Sequence, residues 1–553
     1  MMLPETFAHD DRSKSRLYWA QILALALLLA VAALPGGTRA QSAAPAAPAQ
    51  QAQITSARPD VAAFRGRVDA ALATGGADKG YWGLVVSDAD TGEVLYALNA
   101  QRYFTPASNT KLFTTALVLA TMGPDFRFHT TLETIGTLTP GGTLRGDLVL
   151  VGRGDPNLSN RKFPYEKKEE RDGPPEKVLA ELADAAVAHG LKQIEGGIVA
   201  DDSYFDYERY PSGWSIDDML WGYGAPVSAL CINDNTFDLE LRSAEREGAL
   251  ALFSLEPWAG FYKIQNEVRT GPASSEPKLS IAREPGSRTI TLQGTLPLNS
   301  QPAKRTLAIE EPAEYAAALL KRLLEERGVR IYGEARARHS TDAVNPADSA
   351  AAPSTLVLAE HVSPPLMEDV RLLLKISQNL HAELLLRVAV RWAIGLTSTD
   401  AALKFAQDFR TRIGINENDA LLSDGSGLSR RNLVTPEATV KLLAWIARQP
   451  WGDPFRSALP VAGDDGTLSE RMKNPPLLDR IQAKTGSLGH VNALSGYATT
   501  LRGEKLIFSM FGNNNALRGH DATEVMDAIC AAMIEELGTH APAAGGTRRK
   551  SSP

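Results

Sequence analysis

Two cysteines in 553 residues, Cys231 and Cys530, leave the chain without a disulfide framework. A bridge between them is open in an oxidising compartment, but the expected state is two buried, unpaired thiols. The nine histidines are scattered, with no His-Glu-x-x-His and no Cys-x-x-Cys, so neither a metal site nor zinc peptidase chemistry is expected. No cofactor loop is complete either. Gly152-Arg153-Gly154-Asp155-Pro156 fails as a dinucleotide fingerprint, because Asn157 stands where the third glycine is required and no long helix follows. A Gly-x-Ser-x-Gly elbow is also missing, so His490 reads as a surface histidine or one packed behind a site, not as the partner of a nucleophilic serine. Nor does positive charge dominate. With 58 Lys and Arg against 65 Asp and Glu, the net charge of −7 argues against nucleic acid as a partner.

Long apolar runs are confined to one place. Arg12, Lys14 and Arg16 precede an apolar stretch from Leu17 to Leu34, and Thr38-Arg39-Ala40 supplies small residues at the two critical cleavage positions. Residues 1–40 therefore read as a secretory signal peptide, with an uncleaved anchor as the alternative. The expected location is across the inner membrane, in the periplasm, soluble or loosely membrane-associated. No cysteine follows the run to accept a lipid. Residues 41–58, rich in Ala, Pro and Gln, read as a linker, and 539–553 as a disordered tail.

The remaining residues, about 480, exceed one ordinary domain. A helix is expected over Asp60–Ala73, then strands at Tyr81–Ser87 and Glu93–Leu98 joined by the turn Asp88-Ala89-Asp90-Thr91-Gly92. Near the other end, Arg480–Lys484, Ala493–Leu501 and Lys505–Phe511 are strand-like, and Ala522–Leu537 is a closing helix stopped by Gly538. Both ends together suggest one antiparallel sheet flanked by helices, an α+β class. Between them lie a strand at Asp147–Val151, helices at Glu176–Ala188 and Glu314–Glu326, and strands around Thr289–Leu292.

Three short motifs follow in order: Ser108-Asn109-Thr110-Lys111, Ser377-Gln378-Asn379 and Lys484-Thr485-Gly486. Ser-x-x-Lys alone is uninformative, since it recurs at Ser159/Lys162 and Ser275/Lys278. Those copies lie beside Pro164 and across Pro277, where no helix of any length can start. Ser108 differs. Thr105-Pro106 is a helix start, and Leu112, Phe113, Ala116, Leu117 and Leu119 recur at helical spacing, so Ser108 and Lys111 share one face near an N-terminus. Ser377 and Asn379 form a polar interruption in an apolar helical stretch. Burying them unpaired would cost about 1–3 kcal/mol per group, so they face a cavity or a partner. Lys375, just before, reads as a solvated charge or a cleft-lining one.

The ordered triple resembles the signature of the penicillin-binding enzymes, acyl-serine transferases that act on D-Ala-D-Ala peptides. About 265 residues separate Lys111 from Ser377, far more than the helical connection of that superfamily, so about 220 residues, 130–350, are an insertion of one or two small α+β or β domains. The catalytic domain is then discontinuous, 59–129 and 351–538. An insertion of this size in this place is similar to that of the low-molecular-mass class C penicillin-binding proteins, serine peptidase family S13. Gly152–Pro156, Asp424-Gly425-Ser426-Gly427-Leu428-Ser429-Arg430 and Leu459–Leu468 resemble further elements of that family. Gln378 departs from the Asp frequent at its position.

The resemblance implies roles. Ser108 is the nucleophile and Lys111, neutral through burial and the nearby Lys484, its base. Ser377 passes a proton to the leaving amine, and Asn379 holds the substrate amide. Lys484, Thr485 and Ser487 bind the terminal carboxylate, while Gly486 lets the peptide approach an edge strand. Backbone N–H groups of Ser108 and Ser487 form the oxyanion hole. The activity implied is a serine-type D-Ala-D-Ala carboxypeptidase with DD-endopeptidase activity, taking peptidoglycan stem peptides as substrates and β-lactams as covalent inhibitors, in an oligomeric state the sequence leaves open. A β-lactamase shares the motifs but lacks so large an insertion, and no Glu-x-x-Leu-Asn-like segment stands between the second and third motifs. A catalytically silent wall-binding protein would not need all three motifs.

Overall fold

A computed structural model describes residues 52–54, 58–341, 355–517 and 519–538. The expected signal peptide and tail, and most of the expected linker, lie outside these residues. Within the linker stretch, however, Ala52–Ile54 (β1) forms a strand antiparallel to Val94–Leu98 (β3). Helix α1 (Pro59–Leu72) and strand β2 (Tyr81–Asp88) come between them in the chain. The β2–β3 hairpin turns through Asp88, whose Oδ1 accepts from Asp90 N at 3.0 Å and Thr91 N at 2.6 Å, the side-chain turn that Asp favours.

The chain continues into helix α2 (Thr110–Met122), strand β4 (His129–Thr134) and strand β5 (Leu148–Val151), then helix α3 (Lys177–Ala188) and strand β6 (Ile198–Asp201). Helix α4 (Pro312–Glu326), strand β7 (Ala335–Arg338) and strand β8 (Leu356–Val362) lead back to helices α5 (Leu366–Ile376), α6 (Asn379–Ile394), α7 (Thr399–Arg412) and α8 (Pro436–Ile446). Strands β9 (Ile481–Leu488), β10 (Val491–Thr499) and β11 (Lys505–Asn513) and helix α9 (Gly519–Glu536) close the chain.

The main sheet is antiparallel throughout, in the order β1-β3-β2-β11-β10-β9, so both ends of the chain build it and β9 is an edge strand. Both faces are covered. Leu84, Val86, Tyr96 and Leu98 pack with Phe64 of α1 and Met526, Cys530 and Met533 of α9. Val85, Ala97 and Ile507 point the other way, into a core with Phe113 and Leu117 of α2, Leu373 of α5 and Leu384 of α6. The period-two alternation of β-strands explains why neighbouring apolar residues serve opposite cores. Cys530 and Cys231 are buried, unpaired, and sit in these two different cores.

Residues between α2 and α5 form sheets of their own. A mixed sheet runs β7-β6-β5-β4-β8, with β4 and β8, the first and last of these strands in the chain, paired antiparallel. Leu132, Leu150 and Ile198 of this sheet share a core with Leu179 of α3 and Leu320 of α4. A three-stranded sheet (Thr236–Arg242, Leu252–Glu256, Ala303–Ala308) and a four-stranded one around Thr289–Pro297 extend the same core. Gly152 packs within this region and Gly154 against α6. A Cβ on Gly152 would lie 2.5 Å from Ala229 O, and one on Gly154, at φ +80°, 2.4 Å from Val388 of α6. Among the described residues no helix is long and apolar enough to cross a membrane.

Candidate active site

Ser108 does not sit inside α2. It occupies a single 3₁₀ turn, Ala107–Asn109, which α2 continues. Ala107 enters that turn at φ +48°, a left-handed conformation costly for a residue with a Cβ. Close packing holds it there. A Cβ on Gly427 (φ +88°) would stand 1.9 Å from Ala107 O, and a Cβ on Gly486 would stand 3.0 Å from Ser108 N and 2.9 Å from Pro106 O. Glycine at 486 therefore keeps the Ser108 N–H open to the cleft.

Lys111 is fully buried one turn on. Its Nζ lies 2.9 Å from Ser108 Oγ, 2.6 Å from Asn379 Oδ1 and 2.6 Å from Ser426 O. Burial pushes its pKa down to about 7, against the opposing pull of Asp424 and Glu383. Asp424 belongs to the loop wrapping Lys111, and Glu383 reaches that loop from α6. Glu383 Oε1 accepts from the N–H groups of Gly425 and Ser426, and the Asp424 carboxylate from those of Gly427 and Ser429. Burial, then Asp424, raises the Glu383 carboxyl to about 7.

Lys484 projects from β9 and is equally buried. Its Nζ donates to Ser377 Oγ at 2.8 Å and to Thr485 O at 2.9 Å. Burial, and after it the charge on Lys111, holds its pKa well below the usual lysine value. Asn109 Nδ2 donates to Lys484 O at 3.0 Å, tying the Ser108 turn to β9. Thr485 Oγ1 pairs with Thr467 Oγ1 at 2.7 Å, so the Leu459–Leu468 stretch also reaches the site.

Ser377 and Asn379 do not interrupt one helix, as the apolar pattern suggested, but occupy the corner between two. Ser377 ends α5 at φ +62°, Gln378 caps α6, and Asn379 is its first residue. Breaking the helix turns both polar side chains toward the cleft without burying either one unpaired. Asn379 Nδ2 donates to Tyr223 O at 2.8 Å.

Together these groups border a cavity of about 500 Å³, lined by Ser108, Ser377, Asn379 and Ser487 and closed on another side by Asp217, Asp218 and Tyr223. Thr485 and Gly486 stand beside it on the same edge strand. Three features escaped the sequence reading. The acidic wall from residues 217–223 carries no motif. The Glu383 and Asp424 anions around Lys111 become neighbours only in the fold. Lys375 is neither solvated nor in the cleft: it is buried, with Nζ donating to Leu459 O at 2.7 Å and to Asp465. Only folding brings α5 against the Leu459–Leu468 loop, so the charge's partner was not legible nearby in sequence. His490 is exposed, with Nδ1 2.9 Å from Asn515 O. Among the described residues no group of three His, Cys, Asp or Glu is arranged to hold a metal.

The sequence profile of the D-Ala-D-Ala carboxypeptidase 3 (S13) family matches residues 64–534, and the chain belongs to that family. It is 35% identical over 508 residues, 90% of this chain and 88% of the relative, to D-alanyl-D-alanine carboxypeptidase of Actinomadura sp. (strain R39). It is 28% identical over 436 residues, 78% of this chain and 85% of the relative, to D-alanyl-D-alanine carboxypeptidase DacB of Haemophilus influenzae. In fold it resembles the crystal structure of penicillin binding protein 4 (dacB) from Haemophilus influenzae, with a TM-score of 0.71 at 24% identity, covering 84% of this chain and 98% of that one.

Proposed function

We propose that the protein is a serine-type D-Ala-D-Ala carboxypeptidase, with DD-endopeptidase activity on cross-linked stem peptides, acting through an acyl-serine intermediate. One observation carries the mechanism. Asn379 Oδ1 and Ser426 O are acceptors only, and both face Lys111 Nζ at 2.6 Å. A neutral amine has two N–H donors and one lone pair. Donating to these two oxygens leaves the lone pair toward Ser108 Oγ–H at 2.9 Å. A pKa near 7 keeps that neutral form well populated at neutral pH.

Ser108 Oγ then attacks the carbonyl of the penultimate D-Ala while its proton passes to Lys111. The oxyanion is received by the N–H groups of Ser108 and Ser487, the first left uncovered by Gly486. Collapse breaks the C–N bond. The proton taken up by Lys111 is returned through the hydroxyl of Ser377, bonded to Lys484, to the departing amine, leaving neutral Lys111, acyl-Ser108 and free D-alanine or, in a cross-link, the second strand. Water attacks the ester and Ser108 is restored. Lys484, Thr485 and Ser487 supply positive charge and hydroxyls for the terminal carboxylate, and Asn379 Nδ2 exchanges Tyr223 O for the substrate carbonyl. β-Lactams follow the first half of this route and stay on the serine.

By the same reading the catalytic domain is 59–129 with 351–538, interrupted by inserted domains over 130–350, and the enzyme works in the periplasm behind a signal peptide of residues 1–40. The test is release of free D-alanine from a muropeptide pentapeptide, blocked by prior treatment with penicillin. A protein that releases none, in either soluble peptide or intact sacculi, contradicts the proposal.

A further inference from the structure

The corner carrying Ser377 and Asn379 is held from outside the catalytic elements. Gln378 Oε1 accepts from Leu380 N at 2.7 Å, capping α6, and Gln378 Nε2 donates to Asp234 Oδ2 at 2.8 Å. Asp234 belongs to the chain between α2 and α5, in a turn where Asn233, Asp234 and Asn235 take φ values of 48°, 57° and 54°. Three consecutive left-handed residues with side chains persist only when their surroundings over-determine them. Here they are. Arg161 grips both carboxylate oxygens of Asp234, Ser159 Oγ donates to Oδ1 at 2.9 Å, and His381 Nε2 lies 3.1 Å from Oδ1. Asn233 Nδ2 donates to Thr236 O, and Asn235 Nδ2 to Pro226 O, each at 2.9 Å. Asp234 is 5% exposed. The clamp is stiff, charged and buried, and its outer arm ends on the middle residue of the second motif.

From this geometry we infer that Asp234 is a positioning residue, which acts through Gln378 to hold Ser377 against Lys484 and Asn379 against Lys111. Gln378 stands between the two, so any swing of the corner moves both contacts, Ser377 Oγ to Lys484 Nζ at 2.8 Å and Asn379 Oδ1 to Lys111 Nζ at 2.6 Å. The second motif is thus completed by the inserted region, which gives that region a part in catalysis. The choice of Gln at 378 follows. Opposite a carboxylate the position needs a donor, and the cap needs an acceptor at the same time. An amide offers both at once, whereas an ionised Asp or Glu would set two anions face to face. The inference rests on the function proposed above.

The test is the second-order rate of acylation by a fluorescent penicillin between pH 5 and 8, for the wild type and Gln378→Glu, read as their ratio. Dividing by the wild type removes the titration of Lys111. The other charged groups around the corner, Asp234, Arg161, Arg171, His381, Glu169 and the Cys231 thiol, are common to both proteins. The introduced side chain keeps the cap but lacks the donor until it is protonated, and the Asp234 carboxylate beside it raises its pKa. The ratio should fall to about one-tenth at pH 8, the scale of one lost hydrogen bond to a charged group, and climb back toward one by pH 5. A ratio near one throughout, or one depressed equally at every pH, overturns the inference. Should Gln378→Glu fail to fold, Gln378→Met serves, expected to lose a similar factor with a melting temperature lowered modestly by the lost cap; a full acylation rate there overturns the inference as well. A wild type that takes no label contradicts the proposed function instead, so the two failures are told apart.

Discussion

Lys484 Nζ donates to Ser377 Oγ across 2.8 Å, although 107 positions separate the two in the chain. This contact joins the edge strand to the helix corner, and places the Lys484 amine behind the hydroxyl proposed to protonate a departing amine. Replacing Ser377 with Ala should lower kcat for D-alanine release by about 10²–10⁴, the range for loss of one general acid, with little change in KM. Steady-state kinetics on a pentapeptide check this, and an equal loss through KM alone contradicts it.

The carboxylate role of Lys484 gives a separate outcome. Lys484→Met should erase discrimination between a peptide ending in a free carboxylate and its C-terminal amide. The buried lysine has no carboxylate partner among the described residues, so it is available to an incoming one. Competing the two peptides against each other measures the ratio directly.

Acylation should rise with pH through about 7, because burial lowers the Lys111 pKa to about that value and only the neutral amine accepts the serine proton. The sign for a neighbour follows. An ionised Glu383 stabilises the lysine ammonium, so Glu383→Gln removes that support and moves the profile to lower pH. The amide oxygen still accepts from Gly425 N and Ser426 N. A shift upward contradicts the electrostatic account.

Gly427→Ala should lose both stability and acylation. The added methyl would sit 1.9 Å from Ala107 O at a φ of +88°, which costs about 1–3 kcal/mol in backbone strain before the clash is relieved. Thermal melting and penicillin labelling should fall together. A protein with normal melting and normal labelling contradicts the packing described for the nucleophile turn.

These outcomes separate what the sequence carried from what it did not. The three motifs were legible because each is local: a helical period fixes Ser108 beside Lys111, a strand pattern ends on Lys484, and the family resemblance implied that Lys484 to Ser487 lie along an edge. The sheet built from both chain ends was legible too, since the short apolar runs within Tyr81–Ser87 and Lys505–Phe511, bounded by turn residues, read as buried strands. Apolar periodicity cannot tell one long helix from two meeting at a corner, which is why the break at Ser377-Gln378 was missed. Lys375 was misread for a related reason, its counter-ion Asp465 lying 90 positions away. The acidic wall of Asp217 and Asp218 could not have been found at all, because ordinary surface loops share its composition.

That wall has its own consequence. Two carboxylates on one side of the cavity favour a substrate whose side chain brings a cation. Asp218→Asn should raise KM for a stem peptide with an amine-bearing third residue about threefold or more, and leave an acetylated version unchanged, about 0.7 kcal/mol of lost attraction. Equal effects on both peptides contradict it.

The most direct test is where a penicillin becomes attached. Labelling with a fluorescent penicillin, followed by digestion and mapping of the modified peptide, should place the adduct on Ser108 in the wild type and give no adduct in Ser108→Ala. Stable label on Ser108→Ala, or an adduct mapped to Ser377, would contradict the account.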